Sequence, residues 1–159
     1  MNKTEAENRG LDKDIFDFIR NLWDTQVCHQ TMGLKITYLG TGVAGIKKSP
    51  NSNFSTDGGR VHGGVIATLA DTVMGAAAST INGQVYRTVD MNINYSAPAF
   101  EENELTAEGC VIHPGNTVAV VEGSLFNNKG KLIAKSRGTF IRDTKHQLSA
   151  ETILKPAST

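Results

Sequence analysis

Metal, membrane and nucleic-acid signatures are all missing from this chain. Only two cysteines, Cys28 and Cys110, occur in 159 residues, and they form no CxxC unit. The four histidines (His29, His62, His113, His146) show no metal-ligand spacing with them. A thiolate and imidazole zinc site is therefore not expected, and the cysteines read as free thiols in a reducing compartment. No apolar run is long enough to span a bilayer, and the opening "MNKTEAENRG" lacks the apolar centre of a signal peptide. Neither charge sign dominates: sixteen basic residues stand against sixteen acidic. No net field would hold the chain on nucleic acid or an anionic membrane, so an anionic ligand must be held by local groups. The length suits one core-forming domain. The expectation is a cytoplasmic protein with a single domain over residues 11–142, an N-terminal tail over 1–10 and a C-terminal tail over 143–159.

What is present is strongly patterned. In "LDKDIFDFIRNLWD", residues 11–24, Leu11, Ile15, Phe18, Ile19, Leu22 and Trp23 recur at helical spacing, with Asp12 and Asp14 near the positive end of the dipole. This predicts an amphipathic helix. After Met32 and Gly33 the period changes to two, and Gly40, Gly42 and Gly45 mark a bend or bulge between two strands. Residues 47–60, "KKSPNSNFSTDGGR", read as a loop. Val65 to Ser79 is alanine-rich and apolar almost all round, which predicts a buried central helix. In "RTVDMNINYSAP", Val89, Met91, Ile93 and Tyr95 then alternate with Thr88, Asp90, Asn92 and Asn94. Three more strand patterns follow, the last two joined at "NNKG". The reading is an α+β domain with one central helix followed by four strands in an antiparallel meander. A helix apolar on every side needs cover on every side, and a sheet covers one flank. The same helix of a second subunit is the expected cover for the other, hence a homodimer.

Chemistry concentrates in "GGRVHGGVIATLADTVMGAAAST", residues 58–80. Gly63 and Gly64 stand where a helix start leaves N–H groups without partners, and glycine lets a ligand oxygen approach them. Two readings stand there: close packing, or an oxyanion hole aimed at a reacting carbonyl. Asp71 lies beyond the first turn, so neither capping nor the dipole accounts for it. Thr68, Asp71, Thr72, Gly75 and Ser79 share a face. Asp71 either accepts hydrogen bonds from those threonines or a partner chain, or acts as nucleophile or general base. Eight residues of helix place Gly63 and Asp71 roughly 12 Å apart, too far for one carbonyl to touch both. Two antiparallel helices across a dimer axis would bring the glycine end of one beside the acid of the other.

The motifs "HGGVIATLAD" (62–71) and "TVDMNINYSAPA" (88–99), with "GKLIAKSRGTF" (130–140), resemble the hotdog-fold acyl-CoA thioesterases of the PaaI-like, phenylacetate-pathway group. The similarity runs from about Ile15 to Phe140. It implies a hotdog fold, dimers often paired into tetramers, and hydrolysis of acyl-CoA without metal or cofactor, CoA being part of the substrate. By the resemblance, Asp71 is the catalytic carboxylate, and the Gly63 N–H, with Gly64 beside it, polarises the carbonyl from the opposite subunit. Thr88 helps to place the water or the carboxylate, and His62 belongs to the motif or shapes its turn. Strict alternation, however, puts Thr88 on the polar strand face with Asp90.

Two positions depart from the family pattern. Where relatives carry an asparagine six residues before the motif histidine, this chain has Thr56, with Asn53 three positions earlier. Either fills the carbonyl-side role. Where many relatives have a basic residue after the glycine of "HPGNT", this chain has Asn116, leaving phosphate contact to neutral donors and to Lys131, Arg137 or Arg60. The expected activity is cleavage of a small or medium acyl or aryl group from CoA. A hotdog hydratase or dehydratase and a non-catalytic acyl-CoA-binding module are the rivals. An acid that is costly to bury gives a mere binder nothing.

Overall fold

The computed structural model describes residues 6–145. Elements run in the order β1 (Glu7–Arg9), α1 (Lys13–Asp24), α2 (Val27–Met32), β2 (Leu34–Gly40), β3 (Val43–Lys48), α3 (Gly63–Ser79), β4 (Tyr86–Tyr95), β5 (Leu105–Pro114), β6 (Val118–Asn127) and β7 (Leu132–Arg142). Seven strands form one sheet in the order β1-β2-β3-β5-β6-β7-β4, curled around α3. All pairings are antiparallel except β1 with β2. This is the expected α+β class with a central helix.

Local chemistry starts α1 and stops α2. The Asp12 carboxylate caps α1 by accepting from the backbone N–H groups of Asp14 and Ile15. The six-residue α2 was not expected. It closes at Gly33, whose φ of 70° suits the left-handed C-cap that glycine occupies without cost. The N-terminal segment expected as a tail contributes β1. Of the C-terminal tail, Asp143 is tied down by its N–H to the Val85 carbonyl and by its carboxylate to Arg87. Residues 146–159 lie outside the described residues.

Two expectations need correction. Only β5, β6 and β7 form a meander; β4 lies at the far edge, beside β7. The link from β4 to β5 crosses the start of α3, where Val61 N–H donates to the Ala99 carbonyl and Glu101 N–H to that of Gly59. A chain committed to that crossing cannot fold back as a hairpin. The second correction concerns the cover of α3. Every residue from Thr72 to Thr80 is buried within the single chain, because α1 closes the flank the sheet leaves: the Trp23 indole N–H reaches the Thr72 carbonyl at 3.3 Å, and its ring lies 3.8 Å from where a Cβ on Gly75 would stand. The premise that the whole far flank needs a second helix therefore fails. What stays open is a stripe on the first two turns, comprising Gly64, Ala67, Thr68 and Asp71.

Small residues let α3 sit deep. Gly109 and Gly123 are register partners on β5 and β6, and Ser136 follows on β7. A Cβ on Gly109 would come within 2.6 Å of the Val73 carbonyl oxygen. The helix backbone thus rests almost on the sheet, and Leu69, Val73 and Met74 are fully buried around it, each contributing about 1.5–3 kcal/mol.

Lys48 is the exception in this core. It shares a strand face with Ala44 and Ile46, is 1% exposed, and its ammonium donates to the Ser49 carbonyl at 3.0 Å. Burial pushes its pKa below the ordinary lysine value of 10.5. A base whose folded pKa is depressed penalises the native state while both states are protonated. The penalty fades as pH rises through the folded pKa towards the unfolded one. Lys48→Met should therefore raise stability at pH 7 by about 1 kcal/mol, roughly 2–4 °C, and the gain should shrink towards pH 10.5. Paired thermal melts of variant and wild type across that range check this.

Candidate active site

The site begins with a cap. His62 has an extended backbone, φ −60° and ψ 137°, and its Nδ1 accepts the Gly64 N–H at 2.9 Å. The neutral ring therefore carries its proton on Nε2. Val65 and Ile66 N–H both turn to the His62 carbonyl, at 2.9 and 3.4 Å. One donor is left over: among the described residues the Gly63 N–H makes no hydrogen bond. The two glycines also differ in their reasons. A Cβ on Gly64 would lie 3.0 Å from His62 Nδ1 and crowd the cap, whereas one on Gly63 would make only ordinary contact, 3.6 Å from the Tyr95 ring. Packing within the chain does not require glycine at 63.

Two turns along, Asp71 reaches out of the open stripe. Its Oδ1 accepts the Thr88 hydroxyl at 2.6 Å, and Oδ2 makes no hydrogen bond among the described residues. The helix threonines are not its partners: Thr68 donates back to the Gly64 carbonyl and Thr72 to that of Thr68. Thr72, Gly75 and Ser79, expected on the same stripe, are instead buried. The Ser79 hydroxyl has no partner among the described residues.

Thr88 reaches Asp71 because β4 is not regular. Its pairing with β7 slips between Thr88 and Asp90, where Thr88 faces Phe140 and Asp90 faces Thr139. The extra residue, Val89, is 60% exposed. A bulge changes which residues share a face. Tyr86 and Thr88 turn to the helix before it, and Met91, Ile93 and Tyr95 after it. Strict alternation was thus the wrong premise for placing Thr88 on the outer face. At the end of the strand the Tyr95 hydroxyl donates to the Gly63 carbonyl at 3.0 Å. Tyr95 was missed as a site residue; its position on the face of Met91 and Ile93 was legible, but its partner was not.

The loop before the motif is held by its own backbone. Thr56 directs its N–H and hydroxyl to the Arg60 carbonyl, at 2.7 and 3.2 Å, so its side chain is spent on the turn. Asn53 is exposed on the rim of an open depression formed with Pro50, Asn51, Ser52, Glu101 and Glu102. The remaining expected contacts do not gather within one chain. Arg137 is exposed, opposite Asn92 and Glu122 on the sheet face turned from α3. Lys131 lies in the β6–β7 turn, Asn116 in the β5–β6 turn, and Arg60 is exposed beside the loop. Among the described residues no group of three or more His, Cys, Asp or Glu is placed to hold a metal ion.

Sequence and fold both have parallels among known proteins. Residues 58–134 match the family described as the thioesterase superfamily. A putative esterase of Saccharolobus solfataricus is 35% identical over 118 residues, covering 73% of this chain and 84% of that protein. The chain belongs to the thioesterase superfamily. Acyl-coenzyme A thioesterase 13 of Mus musculus is 39% identical over 83 residues, 51% of this chain and 59% of that protein. The fold is that of the hotdog proteins: the structure of the E. coli PaaI protein, from the phenylacetic acid degradation operon, superposes with a TM-score of 0.79 at 22% identity, over 84% of this chain and 96% of that one. The superfamily match spans Gly63, Asp71, Thr88 and Tyr95 together.

The cap itself is testable without substrate. His62 is exposed, so His62→Ala removes little packing and should cost about 1 kcal/mol through the lost Gly64 hydrogen bond, lowering Tm by roughly 2–4 °C. A melting curve identical to wild type would contradict the capping role.

Proposed function

We propose that the protein hydrolyses small or medium acyl- or aryl-CoA thioesters to the free acid and CoA, at sites shared between two chains. The observation that carries this reading is the pair of unspent groups, the Gly63 N–H at the helix start and Asp71 Oδ2 on the open stripe that follows it. The name of the Mus musculus relative, an acyl-coenzyme A thioesterase, supports the substrate class.

Helix rise keeps the two groups roughly 12 Å apart in one chain. Strand β4 supplies a way to bring two chains together. It is one edge of the sheet, ten residues long against three for β1 at the other, with β7 its one strand neighbour among the described residues. Val89 and Tyr95 are large and exposed on it. A long edge with unpaired backbone groups invites another strand. Antiparallel pairing of β4 with its own copy would set the Tyr95 end of one strand beside the Thr88 end of the other. Gly63 hangs from the first end and Asp71 from the second, so each dimer acquires two composite sites.

In such a site the Gly63 N–H donates to the thioester carbonyl and holds the negative charge that develops on its oxygen. Thr88 fixes Asp71 by occupying Oδ1, which leaves Oδ2 for the reaction. As general base, Asp71 takes a proton from water as the water oxygen bonds to the carbonyl carbon. The C–S bond then breaks, and the proton passes to the CoA thiolate. As nucleophile, Asp71 bonds to the carbonyl carbon and the C–S bond breaks to release the CoA thiolate; water then opens the mixed anhydride, regenerating the carboxylate and freeing the acid, and the released proton balances the thiolate. Both routes use the same two groups. Asn53 on the carbonyl side, in preference to Thr56, whose hydroxyl already serves the turn, and Asn116, Lys131, Arg137 and Arg60 towards the nucleotide, belong to the proposal only as contacts supplied across the assembly. No helix among the described residues is long and apolar enough to cross a membrane, and a cytoplasmic site of action is part of the proposal.

A free-thiol assay over acetyl-, hexanoyl- and benzoyl-CoA tests it. Asp71→Asn should lower turnover by about 10²–10⁴. Gly63→Pro should lower it by about 10²–10³: the first helical position accepts proline, and the extended His62 suits the residue before one, so the helix start is kept while the N–H is replaced by a ring carbon. Both variants should keep the wild-type mass of two chains or a multiple by light scattering. An unchanged rate would overturn the roles, and a mass of one chain the shared site.

A further inference from the structure

We propose that Tyr95 is a positioning residue for the oxyanion donor, acting through Gly63 rather than on the substrate; this rests on the thioesterase reading above. Glycine has the widest backbone freedom of any residue, and Gly63 is the first residue of its helix, where the ladder of hydrogen bonds is incomplete. A donor there is useful only if its direction is fixed before charge develops. The unit that carries it, His62–Gly63, is held by the His62 carbonyl, which accepts from the Val65 and Ile66 N–H groups, and two further contacts hold the next peptide unit, Gly63–Gly64. The His62 side chain ties down the following N–H, that of Gly64, at 2.9 Å. The Tyr95 hydroxyl ties down the Gly63 carbonyl at 3.0 Å, and the tyrosine ring covers Gly63, with ring carbons 3.6–3.7 Å from where a Cβ would stand. With the peptide units on both sides of its Cα held, Gly63 loses its rotational freedom, and its N–H stays aimed and unspent.

The strand gives this contact its meaning. Thr88 and Tyr95 are seven positions apart, an odd number that places residues of a regular strand on opposite faces. The slip between Thr88 and Asp90 turns both to the helix. One strand thereby sets the acid through Thr88 and the donor through Tyr95. Nothing in the packing asks for this hydroxyl: Tyr95 is 51% exposed, and a phenylalanine would leave the same ring against Gly63.

The test uses the full chain as wild type, Tyr95→Phe, Gly63→Pro and the double variant, with kcat and KM from the free-thiol assay on whichever of acetyl-, hexanoyl- and benzoyl-CoA the wild type cleaves fastest. Tyr95→Phe should lower kcat by up to about tenfold, with KM within about twofold and Tm and assembly mass unchanged. With Gly63→Pro already in place, removing the hydroxyl should cost nothing further, because there is no donor left to aim. A wild-type kcat in Tyr95→Phe, an equal loss in both backgrounds, or a loss that follows a falling Tm would each overturn the positioning role. If the proline variant fails to fold, the split between kcat and KM in Tyr95→Phe decides alone. A wild type inert on all three thioesters overturns the thioesterase reading and this inference with it, whereas an active wild type with an indifferent Tyr95→Phe overturns only this one.

Discussion

The burial of α3 is the constraint from which the rest follows. From Thr72 to Thr80 the helix is enclosed by sheet on one side and by α1 on the other, and Gly109 on β5 lets its backbone settle against the strands while Gly123 on β6 leaves room for the Met74 side chain. The enclosure ends where the first two turns begin. Polar groups costly to bury have one place left on this helix, the open stripe of Gly64, Ala67, Thr68 and Asp71. A carboxylate in an otherwise apolar helix is thereby reconciled with folding: it sits at the boundary of the core, held by a single hydroxyl from β4.

That boundary also sets the stoichiometry of the proposed chemistry. A helix rises 1.5 Å per residue and cannot be folded back on itself, so Gly63 and Asp71 stay roughly 12 Å apart whatever the rest of the chain does. The sheet edge formed by β4 lies along this stripe and touches both of its ends, through Thr88 and Tyr95. Pairing that edge with a copy of itself is then a means of joining two half-sites, and a single bulge in β4 aligns both contacts. The shared site is proposed on these grounds rather than on the burial of a bare helix flank, which α1 already covers.

Much of this was legible in the chain, and the exceptions have physical causes. The apolar run from Val65 to Ser79 could only be a buried helix, and the structure extends it by the two glycines that start it. The turn at "NNKG" closes β6 to β7, with Gly130 at φ 73°. The spacing of glycine and acid was readable as a distance. Irregularity was not. The sheet slips register at Ile36/Tyr38, Thr88/Asp90, Val111/His113 and Leu125/Phe126, and a bulge leaves alternating letters unchanged while reversing the face they occupy. Resemblance therefore linked Thr88 to the water or the carboxylate, while alternation put it on the wrong face. The edge position of β4 escaped for a related reason: it depends on where residues 96–104 cross the start of α3, a tertiary contact with no local pattern. Gly33, by contrast, was a C-cap signal in plain view, and reading it so would have disclosed α2.

Complementation between two disabled chains tests the shared site most directly. Asp71→Asn and Gly63→Pro subunits, each inactive alone, are unfolded together, refolded as a 1:1 mixture and assayed for thiol release. A dimer of one of each has one site with an intact glycine donor and an intact carboxylate, and one site with neither. Random pairing makes half the dimers mixed, so activity should return to about one quarter of that of refolded wild type. If each site belongs to a single chain, every site in the mixture lacks one group, and the activity will stay at the level of the separate variants.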